Sequence, residues 1–206
     1  GFRGSGFVAG GGNLVVTNAH VLPDALPPGG SEGTLAVVVP GAADEAGRLR
    51  AAQLAGIDRA HDLALLRIDG APLAPLPLGA DAPVAEGRAV AIIGFPIGGA
   101  LGFTPVTHRG IVSSVTGIAL PAPSAGDLNP QAVRRLRSGS FDIYQLDATA
   151  YPGNSGGPVI DVDSGRVIAV INMVLVKGSK ETALQHPSGI SYAVPVRFAN
   201  ELLKGR

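Results

Sequence analysis

The chain has 206 residues, 46% of them apolar, and 16 basic against 16 acidic side chains leave it close to neutral. That balance favours neither nucleic acid nor an anionic membrane as a partner, and the absence of cysteine excludes disulfides and thiolate metal sites. No run approaches the roughly 18 uninterrupted apolar residues of a membrane span; the opening Gly1-Phe2-Arg3-Gly4 shows no signal-peptide pattern, so any signal peptide is expected outside this sequence.

Thirty glycines and 17 prolines are spread along the chain, separating short runs rich in β-branched residues. In chain order these are Gly6–Ala9, Leu14–Thr17, Leu35–Val39, Asp62–Ile68, Ala89–Ile93, Gly110–Val115, Ile143–Leu146, Pro158–Ile160, Val167–Ile171 and Ser191–Val194. Many short strands with turn residues between them predict an all-β sandwich or barrel. Gly10-Gly11-Gly12-Asn13 and Asp163-Ser164-Gly165 read as hairpin turns. The Gly- and Pro-rich stretch Phe95–Thr104 nearly halves the chain and is the expected connection between domains 1–103 and 104–206. Ala119–Ser140 and Lys177–Gly189 read as long loops, a class that usually carries function or mobility. One helix is expected, Pro195–Lys204, with Pro195 at its start and Phe198, Ala199, Leu202 and Leu203 on one face.

Three segments carry chemistry. His20 follows the run Leu14–Thr17 and has the small Ala19 beside it, a setting from which an imidazole can project into a cleft. Asp62 leads into the apolar run Leu63-Ala64-Leu65-Leu66, so its carboxylate needs a hydrogen-bonding partner to stay charged. Ser155 lies in Gly153-Asn154-Ser155-Gly156-Gly157-Pro158, a turn whose small residues admit a substrate carbonyl. The N–H groups of Gly153 and Ser155, with Asn154 between them, are candidates for an oxyanion hole. A serine needs a base, and the order His, Asp, Ser is that of the chymotrypsin-type triad. Taken singly, each has a plainer explanation: a structural histidine, a strand-capping aspartate, an idle turn serine. His61, His108 and His186 lack the small-residue setting of His20, while Asp58 and Asp69 read as turn residues.

Further motifs in order make the chain resemble the trypsin-like serine proteases of the HtrA (Deg) type. These are Gly4-Ser5-Gly6-Phe7-Val8, Val16 to Val21 around His20, Asp62 to Leu66, Ile93-Gly94-Phe95-Pro96-Ile97-Gly98, Arg109 to Ser113, Gln145 to Ala148, Pro152 to Pro158 and Gly189 to Pro195. Phe95 stands where Asn is common in that family. The resemblance implies two six-stranded antiparallel β-barrels with a short C-terminal helix, His20 and Asp62 coming from the first barrel and Ser155 from the second. It implies a serine endopeptidase that cleaves unfolded or damaged proteins through an acyl-enzyme, with no metal or cofactor, in a bacterial periplasm or cell envelope. A catalytically latent or pseudoprotease binding module of the same fold is the alternative, and the two long loops are the candidate switch.

The family usually carries PDZ domains after the protease domain, and this sequence has none. Members often trimerise through N-terminal aromatics, for which Phe2 and Phe7 are available here. Enzymes of the wider class that cut after Lys or Arg place an Asp at the pocket base, where this chain has Thr149 between Ala148 and Ala150. Small or medium apolar P1 side chains are therefore expected, in a pocket formed by Ala148, Thr149, Ala150, Ile171, Asn172 and Met173. Met173 would adapt the pocket's shape or serve as ordinary core packing.

Overall fold

Short strands need neighbours to satisfy their backbone groups, and here they find them in two antiparallel systems. The computed structural model describes residues 4–23, 35–41, 48–96, 104–118, 141–172 and 189–205. The first system holds β1 (Phe7–Ala9), β2 (Leu14–Asn18), β3 (Leu35–Val38), β4 (Leu49–Asp58) and β5 (Leu63–Ile68) in the order β1-β2-β5-β4-β3. The second is a closed barrel of β6 (Ala89–Gly94), β7 (Val106–Ile118), β8 (Phe141–Asp147), β9 (Pro158–Asp161), β10 (Val167–Ile171) and β11 (Ile190–Pro195), ordered β10-β11-β8-β7-β6-β9. Helix α1 (Val196–Lys204) follows β11 directly, with Pro195 as its N-cap.

The all-β reading with one short C-terminal helix holds. Of the two six-stranded barrels expected, the second is closed, whereas the described residues of the first half form a five-stranded sheet of half-barrel form. Strand β6, which a division at residues 103 and 104 would give to the first half, pairs with β7 and β9 and is a strand of the second barrel. The two sheets therefore divide between β5 and β6. The long loops Ala119–Ser140 and Lys177–Gly189 lie outside the described residues except for Gly189.

Strand β4 had no counterpart among the sequence runs. Only Ala52 and Gly56 are buried along it, Leu49 and Leu54 are exposed, and a bulge between Leu54 and Gly56 shifts its register against β5. Its apolar residues consequently never alternate cleanly. Strand β10 is the opposite case, buried at every position. Ile168, Ala169 and Ile171 face the barrel core with Val90, Ile92, Val112 and Leu146. Val167 and Val170 pack instead with Phe7, Val16, Leu63 and Leu65 of the first sheet and with Phe198 of α1. That shared cluster joins the halves, and it absorbs Phe7, so this ring is not available as a trimer contact.

The seam between β6 and β9 carries a salt bridge. Arg88 Nε and Nη2 donate to Asp161 Oδ1 and Oδ2 at 2.8 and 2.7 Å, and Ser164 Oγ donates to Oδ2 at 2.6 Å. The Arg88 fork holds the Asp161 carboxyl far below the usual carboxylate range. A depressed folded pKa stabilises the protein above the unfolded value, about 4 for Asp. That contribution is lost as pH falls toward the folded value. We expect Asp161→Asn to lower unfolding free energy by about 1–3 kcal/mol near pH 7. In urea titrations the gap from the parent chain should narrow below about pH 4; parallel pH profiles would contradict this assignment.

Candidate active site

Register brings His20 and Asp62 together. β2 pairs with β5 so that Asn18 lies opposite Leu63. His20 is two residues beyond Asn18, in a 3-10 turn spanning Ala19–Val21, and Asp62 immediately precedes Leu63. Asp62 has φ 56°, the one described non-glycine residue in the left-handed region, a conformation Asp tolerates better than most residues. In it the backbone carbonyl accepts from Ala19 N–H and Asn18 Nδ2, both at 3.0 Å. The carboxylate meanwhile turns to the histidine: His20 N–H donates to Oδ1 at 2.9 Å, and His20 Nδ1 lies 2.5 Å from Oδ2. A carboxylate on Nδ1 assigns the ring proton to that nitrogen and leaves Nε2 as the acceptor in the neutral ring. The two side chains are 26% and 16% exposed, so the pair is partly open to solvent rather than lying in the core.

The serine turn is built by glycine. Asn154 N–H donates to Tyr151 O at 2.9 Å, Pro152 occupies the second position and Gly153 the third with φ 103°, the signature of a type II turn. Gly156 follows with φ 87°. Its N–H donates to Ile171 O at 3.0 Å, and Ile171 N–H returns a bond to Gly157 O at 2.9 Å, which ties the turn to the end of β10. A Cβ at Gly156 would run into Ser5 O and Thr17 Oγ1, so the turn lies directly against the end of β2 that leads to His20. Ser155 itself is buried. A Cβ at Gly4 would meet both the Val21 side chain and Ser155 O, the point where the two halves of the site touch.

The other nominated residues divide. Asn154 is fully buried with its amide against Gly94, so its backbone belongs to the turn and its side chain does not. Ala148, Ala150 and Ile171 pack in the barrel core with Tyr144 and Leu146, and Thr149 is half-buried. Asn172, nominated for the pocket, directs Nδ2 to Asp62 Oδ2 at 2.7 Å. Met173 lies outside the described residues. His61 is engaged elsewhere: Nδ1 is 2.6 Å from Asp58 Oδ2, and its ring stacks on Phe198 at 3.7 Å. Sequence reasoning missed the role of Asn172, although a fully buried polar residue closing the apolar run Val167–Ile171 is the kind of signal that marks one.

The sequence matches the family described as "Trypsin-like peptidase domain" over residues 4–170. It is 35% identical over 202 residues to the mitochondrial serine protease HTRA2 of Bos taurus, covering 98% of this chain and 35% of that protein. It is 29% identical to a probable periplasmic serine endoprotease, DegP-like, of Pseudomonas fluorescens, covering 97% of this chain and 34% of that one. The chain thus spans about a third of the length of these curated relatives. Among solved structures, the HtrA-type protease AlgW with a decapeptide is similar at TM-score 0.66 and 28% identity, over 98% of this chain and 50% of that one. The serine endoprotease from Yersinia pestis is similar at TM-score 0.65 and 25% identity, over 98% and 56%.

Because Asn172 donates to the same carboxylate oxygen that binds His20 Nδ1, its removal should loosen the histidine without dismantling the turn. We expect Asn172→Ala to slow hydrolysis of a peptide substrate about 10- to 100-fold, the worth of one hydrogen bond to a charged group. The thermal midpoint, measured alongside, should fall by only a few degrees, roughly 2–4 °C per kcal/mol for a chain of this size. Unchanged turnover would contradict the assignment.

Proposed function

The chain belongs to the trypsin-like peptidase family, and on that premise we propose that it is an HtrA-type serine protease in which His20, Asp62 and Ser155 form a working triad that cleaves polypeptides. The observation that carries the proposal is the Asp62 carboxylate on His20 Nδ1, with the Ser155 turn packed against the strand end that bears His20. In this mechanism His20 Nε2 takes the Ser155 Oγ proton as Oγ attacks the peptide carbonyl. Asp62 stabilises the imidazolium, and the N–H groups of Gly153 and Ser155 receive the developing oxyanion. His20 then returns the proton to the leaving amine, which breaks the C–N bond and leaves an acyl ester on Ser155. Water activated by the same imidazole hydrolyses that ester and restores the serine.

The Tyr151–Asn154 turn bears on whether the site is assembled. Types I and II differ by a flip of the central peptide, here Pro152–Gly153. The Gly153 φ of 103° selects type II, in which the Pro152 carbonyl and the Gly153 N–H are both reversed relative to a type I turn. We take this as the competent form.

Unfolded or damaged proteins are the proposed substrates. The absence of a carboxylate among Ala148, Thr149 and Ala150 supports a P1 preference for small or medium apolar side chains. A bacterial envelope location is proposed after the probable periplasmic Pseudomonas relative, while mitochondrial and chloroplast relatives have other locations. Among the described residues no helix is long and apolar enough to cross a membrane.

A mixed peptide library tests the reading. Cleavage should fall after residues such as Ala or Val and should vanish in Ser155→Ala. Dominant cleavage after Lys or Arg would overturn the specificity, and activity that survives in Ser155→Ala would overturn the triad. A folded chain that hydrolyses nothing would make this fold a binding module instead.

A further inference from the structure

Beside the candidate triad lies a buried serine that the mechanism above does not use. Ser5 precedes β1 and is 4% exposed. Its backbone N–H donates to Ser155 O at 2.8 Å, and its Oγ donates to Gly153 O at 2.7 Å. The carbonyls of both residues nominated for the oxyanion hole are therefore held by one residue from the other half of the molecule. The direction of the Oγ proton is fixed by its neighbours. Phe95 N–H lies 2.9 Å from Ser5 Oγ and can only donate, so the hydroxyl accepts there; Gly153 O can only accept, so the hydroxyl donates there. Ser5 O in turn accepts from Thr17 Oγ1 at 2.7 Å.

The flanking glycines explain how a backbone comes this close. A Cβ at Gly4 would strike Val21, and one at Gly6 would lie 2.8 Å from Val16 O. Gly156 cannot carry a Cβ without meeting Ser5 O. The Gly-Ser-Gly segment and Gly156 are thus two faces of one close approach.

We propose that Ser5 is a positioning residue for the oxyanion hole: its hydroxyl fixes the Gly153–Asn154 peptide, the support against which the Gly153 N–H of the preceding peptide is oriented. With that carbonyl anchored and Asn154 N–H bound to Tyr151 O, the peptide after Gly153 is held at both ends. The Gly153 N–H lies on the preceding peptide, which turns through Pro152 ψ and Gly153 φ, and Gly153 is the one residue of the turn free to take either sign of φ. With the following peptide held, the preceding one has a fixed neighbour to turn against. Donors preorganised in this way contribute mainly to the transition state, not to substrate binding. The proposal rests on the triad reading above.

The test compares Ser5→Ala, Ser5→Cys and the remote Asp161→Asn with the parent chain. Each is assayed below its melting temperature for kcat and KM on one peptide, and for inhibition by a peptide boronate, which forms a tetrahedral adduct with a serine. Ser5→Ala should lower kcat about 10- to 100-fold with KM within about twofold, the pattern of a lost transition-state interaction. Boronate affinity should fall by a similar factor. Ser5→Cys keeps the shape with a weaker donor and should fall between. Asp161→Asn loses stability but should keep kcat. A folded Ser5→Cys or Ser5→Ala with parental kcat and boronate affinity overturns the proposal, as does an equal kcat loss in Asp161→Asn. Amide exchange at Gly153–Ser155, followed in a Ser155→Ala background, needs no catalysis. It should quicken in Ser5→Ala, and unchanged exchange also overturns the proposal. A parent chain that neither hydrolyses peptide nor binds boronate sinks the triad reading instead, and the exchange measurement still decides the role of Ser5.

Discussion

The Asp62 carboxylate accepts hydrogen bonds from both halves of the molecule: from His20 N–H and Nδ1 beside the first sheet, and from Asn172 Nδ2 at the end of β10. A carboxylate at the mouth of an apolar strand is costly unless its oxygens are satisfied, and here satisfying them requires the sheet and the barrel to be docked. The packed cluster of Phe7, Val16, Leu63 and Leu65 with Val170, Val194 and Phe198 supplies the docking energy. Placement is set by backbone: the β2–β5 register and the left-handed turn at Asp62, whose own carbonyl is held by Ala19 and Asn18. Strain of this kind, about 1–3 kcal/mol per residue, persists where surrounding bonds over-determine it.

A second constraint is steric. The serine turn, the Gly4–Gly6 segment and the β2 end approach so closely that side chains at Gly4, Gly6, Gly94 and Gly156 would collide with neighbours. Backbone carbonyls and amides thereby come within hydrogen-bonding reach across the interface, and a single buried hydroxyl, that of Ser5, can hold the turn from outside. The rigid geometry proposed for the oxyanion hole follows from small residues on both sides of the contact, not from the nucleophile turn alone.

Much of this was legible in the chain because strands buried on both faces announce themselves as apolar runs. Val167–Ile171 is a continuous apolar run and Leu63–Ile68 is apolar apart from Arg67, and both lie where those runs predict. Strand β4 was not legible, since its bulge and its exposed Leu49 and Leu54 scramble the alternation on which such reading depends. Extra length in β7, from Val106 to Ile118, was invisible beyond the run Gly110–Val115 for a similar reason. In the site, residue types alone nominated His20, Asp62 and Ser155. They could not reveal that Asn172 points at a carboxylate or that Asn154 turns its amide toward Gly94. Those facts depend on which face of a strand end meets the opposite half, a three-dimensional property without a local signature.

The central proposal is that the carboxylate of Asp62, acting through His20, makes Ser155 nucleophilic. Rates of covalent labelling by a fluorophosphonate, with the adduct mapped by peptide mass, test it directly in the parent chain and in Asp62→Asn. The adduct is expected on Ser155 alone, formed about 10³–10⁴ times more slowly once the carboxylate becomes an amide and the wrong histidine tautomer is favoured. Labelling at another serine, or at Ser155 with an unchanged rate in Asp62→Asn, would contradict it.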